Sequence, residues 1–516
     1  MRGLTICLHL LEILLKHFNS YWNTTDINVY LNAASINTTE NEAAQALETL
    51  FIESQKVEVN PPTEPENATF AYTDFGIPGT VVSDGIIEDL DVRQLILSNN
   101  IHVNLKTTDF EDGSISIVFR FGSGKLGQPQ NSTYLDVFTA YMVNWGGLGK
   151  HSREELDRAM AGKTWDMTFD VEDGAFVMSG TTAPRDLEVQ LQIMTAHVVD
   201  PGFREEALGW WQGEVDAELN YLQNTLYGTF DFDMYGWLLG DDERFIEPTR
   251  DVYLDFEVSD AMHWLIPQLN NSYLEVSLVG DLDQGEAIEL LLRTLGALPE
   301  RSNSPHQITM AERVIRSPTA PQTKVISYET KVPQAATMMT WRIPSFAVDT
   351  NISQYRHFQV LADILSARAY NTIREELGAA YSPQAFADID ADFDYGYMFL
   401  YSEGRPEEMI PIADVMVSMT ENLTMSGGSI TDEEVTKAVL AIQSNYQESL
   451  RTNSYWLYSV LQECQTNPSK LDWDRSYEDD FNSVTTAAVN TLAMQYLTLD
   501  NALKITLLPT NGTSRI

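Results

Sequence analysis

Cationic side chains are scarce in this sequence. Lys and Arg number 32 against 75 Asp and Glu, so 516 residues carry a formal charge of −43. A phosphate backbone is repelled by such a chain, which argues against a nucleic-acid partner and, on the same ground, against an anionic membrane surface. Cysteine is nearly absent: Cys7 and Cys464 are the only two. They cannot build a disulfide framework or a thiolate zinc site. No apolar run approaches the ~20 residues needed to span a bilayer. The opening MRGLTICLHLLEILLKHF contains His9 and Glu12 within its apolar part. It therefore reads as a helix with one apolar face, with a signal peptide as the alternative. Sequons such as Asn23, Asn67, Asn131 and Asn422 decide nothing about secretion in a chain rich in Asn, Ser and Thr.

What is present is an ordinary globular balance, 43% hydrophobic and 21% charged, which excludes wholesale disorder. The chain also repeats itself. LEVSLVGDLD, Leu274–Asp283, alternates like a strand, turns at Gly280-Asp281 and is followed by a helical stretch, Glu286–Leu295. Ile27–Asn37 with the helical stretch Glu42–Phe51, and the strand Leu503–Leu508, repeat the same ending. A spacing of this size is that of whole domains, not of solenoid units.

Each complete interval has one internal order. The first opens with strands at Ile101–Thr107 and Ser114–Phe121, then a helix at Tyr134–Val143. A hairpin, Trp165–Val171 and Ala175–Thr181, turns at Glu172-Asp173-Gly174, and helices follow at Asp186–Val198 and Glu205–Leu222. The second has strands at Lys324–Glu329 and Ala336–Arg342, a long helix at Ser353–Leu377, a hairpin at Tyr381–Asp388 and Tyr395–Ser402, and helices at Glu407–Thr424 and Asp432–Arg451. Tight hairpins demand antiparallel pairing. The expected fold class is α+β: two repeated domains of antiparallel sheet with helices on one face, preceded by the tail of a third. The Pro-rich stretches Asn60–Asn67 and Pro299–Pro321 set the expected division: 1–80 a remnant plus linker, 81–305 the first domain, 306–516 the second.

Catalytic chemistry is mostly missing. The histidines are His9, His17, His102, His151, His197, His263, His306 and His357, and no two fall into a metal-binding frame with an acid. Each reads as a surface or packing residue. Gly122-Ser123-Gly124 lacks a phosphate-loop context and reads as a strand-end turn; Gly146–Gly149 reads as a helix stop before the capping box of Ser152 and Glu155. One segment stands out: ARAYNTIREELGAAYSP, Ala367–Pro383. Arg374 falls in the last turn of a helix that Gly378 is placed to end, and Tyr381 opens the next strand. Guanidinium and phenol both donate hydrogen bonds and can point into one space, suited to gripping a peptide carbonyl. On spacing alone, an exposed Arg beside a half-buried core Tyr is the plainer reading.

This segment resembles the substrate-gripping motif of the pitrilysin/insulinase family, the inverzincin metallopeptidases. The resemblance extends over almost the whole chain, through GGLGKHSREEL (Gly146–Leu156), SGTTAPRDL (Ser179–Leu187), DPGFREE (Asp200–Glu206), VGDLD (Val279–Asp283), LGALPER (Leu295–Arg301) and TDEEVTKA (Thr431–Ala438). It is nearest to bacterial, extracytoplasmic, single-chain members. It implies repeated α+β domains closing around a peptide, and a weak expectation of a periplasmic or secreted location. Yet the positions matching the family's zinc motif, H-x-x-E-H, are Phe138, Tyr141 and Met142, so no catalytic or metal residue is expected in this chain. Residues 81–305 then resemble the inactive third domain, Ile27–Ser54 the tail of the second, and the zinc is expected in a missing or partner N-terminal half. Arg374 and Tyr381, carried over, would bind substrate by holding its carbonyl and the oxyanion formed on attack by zinc-bound water. The competing expectation is a non-catalytic scaffold or peptide-binding module.

Overall fold

The central strands of this protein are buried on both faces. The computed structural model describes residues 29–30, 39–57, 69–330, 332–347, 351–376, 378, 383–426 and 428–510. The opening helix, most of the strand expected at Ile27–Asn37, the linker Asn60–Asn67, Leu377 and Tyr381 lie outside them. The chain divides into two units, Met1–Asn67 and Ala68–Ile516. The first contributes helix α1, Glu40–Ser54, started by a capping box between Thr39 and Glu42.

The second unit holds two sheets. The first contains β1 (Val81–Ile87), β2 (Val92–Leu97), β3 (His102–Thr107), β4 (Ile115–Phe121), β5 (Thr168–Val171), β6 (Phe176–Thr182) and β7 (Leu274–Gly280), in the order β1-β2-β3-β7-β4-β6-β5. The second contains β8 (Gln322–Glu329), β9 (Ala335–Arg342), β10 (Gln384–Ile389), β11 (Gly396–Gly404) and β12 (Ala502–Thr510), in the order β10-β11-β9-β12-β8. Five strands of the first sheet, β3-β7-β4-β6-β5, repeat the order β8-β12-β9-β11-β10 of the second. In each repeat the last strand inserts between the first two, parallel to one and antiparallel to the other: β7 against β3 and β4, β12 against β8 and β9. Both expected hairpins form, and the opening strands of each repeat are neighbours of the closing strand rather than of each other. The pairing is otherwise antiparallel, as the hairpins require.

Helices α2 (Leu135–Gly146), α3 (Leu187–Val199), α4 (Glu205–Asn224), α5 (Val258–Asn271) and α6 (Gln284–Arg293) belong to the first repeat. Helices α7 (Ile352–Ala369), α8 (Met409–Thr424), α9 (Asp432–Ser449) and α10 (Thr486–Tyr496) belong to the second. They cover one face of each sheet, with Ile117, Phe119 and Val276 packed under the first set and Met339, Trp341 and Leu400 under the second. The opposite faces are covered too, which alternation alone did not reveal. A π-helical turn of the second repeat, Tyr455–Leu461, lays Leu457, Val460 and Leu461 on Val118, Val177 and Val279 of the first sheet. Reciprocally, residues Leu226–Leu238 of the first repeat lay Leu226, Met234 and Leu238 against Met338, Phe399 and Ile505 of the second. Burial on both faces makes β7 and β11 inaccessible almost without a break, the polar Glu275, Ser277 and Ser402 included.

Candidate functional site

Helix α2 carries the positions at which the zinc motif was sought. Its sequence, LDVFTAYMVNWG, ends at Gly146, and Gly147 takes φ +66°, a left-handed stop packed so closely on Arg153 that a side chain would clash. Phe138 is fully buried, stacked on Phe256 at 4.5 Å and meeting Trp211 edge-on at 5.2 Å. Met142 is fully buried as well. Tyr141 meets Trp211 edge-on at 5.2 Å, and burial, followed by the charge of Glu214, pushes its phenol up to about 12. These side chains form a hydrocarbon pack around one neutral phenol and do not fit zinc, which takes thiolate, imidazole or carboxylate ligands. Among the described residues no group of three or more His, Cys, Asp or Glu could hold a metal ion.

The histidines read as packing residues wherever they are buried. His197 bonds the carbonyl of Ile193 at 2.9 Å through Nδ1, and burial pushes it down to about 4. His151 accepts from the Ala71 amide at 2.9 Å and stacks on Phe70.

Arg374 lies at the other end of the molecule's chemistry. Helix α7 runs to Ala369 and then widens into a π-helical turn, Tyr370–Glu376, where a regular helix to Leu377 was expected. A π turn accommodates an extra residue and so rotates everything after it relative to an α-helix. Ile373 is fully buried and fixes the turn; Arg374, next to it, is exposed, with its guanidinium 5.2 Å from the centre of the Tyr370 ring. Gly378 has φ +64°, the left-handed geometry expected where the helix ends. Upstream of the π turn Ser366 ties the helix to β10: its hydroxyl accepts from the Ala385 amide at 2.6 Å and donates to the Ala385 carbonyl at 2.9 Å. Helix α7 is thus joined to β10 ahead of the π turn that carries Arg374.

A similar tie holds the edge strand of the first sheet. Asn144, on α2, donates to the Phe169 carbonyl and accepts from the Phe169 amide, each at 2.8 Å. An edge strand offers unpaired N–H and C=O groups to any extended peptide, so both ties set how much of each edge is open.

Sequence reasoning missed a carboxylate cluster where two hairpin turns meet. The Glu172-Asp173-Gly174 turn was foreseen, but not that Gly174 packs directly on Asp392 of the β10–β11 turn. Burial, then the charge of Asp173, pushes Asp390 up to about 7. Burial also raises Asp392 to about 6 although Arg120 opposes the shift. Arg120 itself pairs with Glu172 at 2.5 Å and Glu463 at 2.9 Å, beside a cavity of about 150 Å³ that Tyr273, Glu275 and Arg313 also line. No local signal marks this cluster in a chain with so many carboxylates.

Comparison with known proteins bears on this geometry. Residues 268–442 match the family described as the Peptidase M16 inactive domain. The chloroplastic stromal processing peptidase of Arabidopsis thaliana is 21% identical over 434 residues, covering 74% of this chain and 34% of its own length. That of Pisum sativum is 20% identical over 413 residues, covering 72% and 33%. This chain therefore spans at most 34% of the length of these curated relatives. The periplasmic protease PqqL of Escherichia coli superposes with a TM-score of 0.68 at 18% identity, over 92% of this chain and 51% of PqqL. A peptidase M16 inactive domain from Pseudomonas fluorescens superposes with a TM-score of 0.64 at 15% identity, over 83% of this chain and all of that one. These superpositions establish the fold. Among the described residues no helix is long and apolar enough to cross a membrane.

Proposed function

We propose that this chain, homologous to the M16 (pitrilysin/insulinase) peptidases and carrying their inactive domain, serves as the C-terminal half of a zinc endopeptidase. In this reading it encloses and grips a peptide substrate for a zinc-bearing N-terminal half, encoded in the same gene or supplied as a separate chain. The observation that carries the proposal is Arg374: an exposed guanidinium set on a π turn whose preceding residue is fully buried. An exposed cation next to a residue anchored in the core suits a group that must reach a substrate. Its role is to donate hydrogen bonds to the peptide carbonyl as that oxygen gains negative charge, with the Tyr381 hydroxyl as second donor. Zinc belongs, in this reading, to the other half, because α2 offers it no ligand.

The test combines this chain with a zinc-bearing half. Arg374→Ala and Tyr381→Phe should each lower turnover by roughly 100–1,000-fold, as loss of one oxyanion donor does. The Arg374→Ala melting curve should stay put, since exposed changes usually move stability by less than ~0.5 kcal/mol. The chain alone should neither cleave peptides nor hold stoichiometric zinc. Unchanged turnover in both variants transfers the case to a second reading, a non-catalytic scaffold or peptide-binding module, which the sealed aromatic packing of α2 favours. An extracytoplasmic location belongs to the same proposal, and fractionation of the native host tests it.

A further inference from the structure

Four aromatic rings of the first repeat form a row that runs from the core to the surface. Trp211 is buried, Tyr141 meets it at 5.2 Å, Trp145 lies 6.1 Å beyond Tyr141, and Trp210 meets Trp145 edge-on at 6.4 Å and 85°. The row ends openly: Trp145 is 48% and Trp210 50% exposed. Helical spacing builds it. Tyr141 and Trp145 are one turn apart on α2; Glu206, Trp210 and Glu214 follow one another at the same interval on α4, so a glutamate stands one turn before Trp210 and another one turn after it, Glu214 bonded to the Tyr141 hydroxyl. Both glutamates are exposed. Among the described residues the one ion pair of α4 is elsewhere on the helix, between Asp216 and Arg250. Every Lys or Arg found over an aromatic ring among the described residues is over some other ring.

Exposed indole faces are negative, and carboxylates beside them deepen that potential. A planar guanidinium matches both features, because it stacks on an indole and still donates in-plane to a carboxylate. We propose that Trp145, Trp210 and Glu214 form a subsite for an arginine side chain of a bound peptide. The side chain lies on the indoles with its guanidinium paired to Glu214. This subsite exists whether or not a zinc-bearing half completes the chain.

Fluorescence anisotropy of a labelled nine-residue peptide with one central arginine, titrated with the full chain, tests the proposal. Its control peptide carries citrulline, which keeps shape and loses charge. The arginine peptide should bind about tenfold tighter, the size of a partly desolvated cation–π contact. Trp145→Ala combined with Trp210→Ala, and separately Glu214→Gln, should erase that advantage. Glu214→Gln keeps an acceptor for the Tyr141 hydroxyl, so its loss is not a folding defect. Glu289→Gln, an exposed carboxylate on α6, should leave the advantage intact. Equal binding of the two peptides overturns the proposal, as does an equal loss in Glu289→Gln, which would mean that the general negative charge does the work. A dimer in sedimentation that the double tryptophan variant dissolves also overturns it, because the row would then be a contact between copies.

Discussion

In the first repeat the edge strand is held by an amide, Asn144 on Phe169; in the second it is held by a hydroxyl, Ser366 on Ala385. The frame around the two ties is the same, strand for strand. What differs is the helix beyond the tie. Helix α2 stops two residues after Asn144, at the Gly146–Gly147 turn, with its inner face sealed by Phe138, Met142 and Trp211. Helix α7 runs on from Ser366 into the π turn and presents Arg374. One duplicated scaffold has thus been given two chemistries around the same tie: an aromatic pack before it in the first copy and a displayed cation after it in the second.

That contrast can be broken by mutation. If the α2 site is pure packing, Phe138→Ala should cost about 3–5 kcal/mol in urea unfolding, the usual range for a buried Phe; a cost below 1 kcal/mol would mean that the site is not a core. The covering segments should be symmetrical, so Leu238→Ala and Leu457→Ala, each fully or almost fully buried, should both cost about 2–5 kcal/mol. A large cost in one and a negligible cost in the other would make the exchange one-sided. The hairpin junction should add a pH dependence. Asp390 is raised well above its unfolded value, so its contribution to stability is present at low pH and is lost as pH rises from about 4 through about 7. Asp390→Asn should therefore match the parent near pH 4 and melt higher than it at pH 8; identical difference at both pH values would remove the role of Asp390. Smallest is the effect of the two ties: Asn144→Ala and Ser366→Ala should each cost about 0.5–1.5 kcal/mol, with faster hydrogen exchange at Phe169 and Ala385 respectively. Unchanged exchange would separate the ties from edge protection.

The hairpins, the capping box at Ser152 and the glycine stops at Gly147 and Gly378 were legible in the sequence, because each rests on local chemistry. Strand β1 was not: VVSDGII is exposed along most of its length and lacks alternation. The π turns escaped too, since Tyr370–Glu376 and Tyr455–Leu461 keep helical composition and differ only in hydrogen-bond register. The aromatic row needed two helices side by side before Trp145 and Trp210 became neighbours. Arg374 was found from its motif, while the burial of Ile373 beside it and the Ser366 tie upstream are tertiary.

The exchange of covering segments also has a consequence in time. The ribosome releases the first repeat well before Tyr455–Leu461, so Val118, Val177 and Val279 wait uncovered for residues made long after Gly280. At ~5–20 residues per second that wait lasts roughly 10–35 s. During it the nascent chain leaves one apolar sheet face without its cover, and that face closes only when the second repeat has been made.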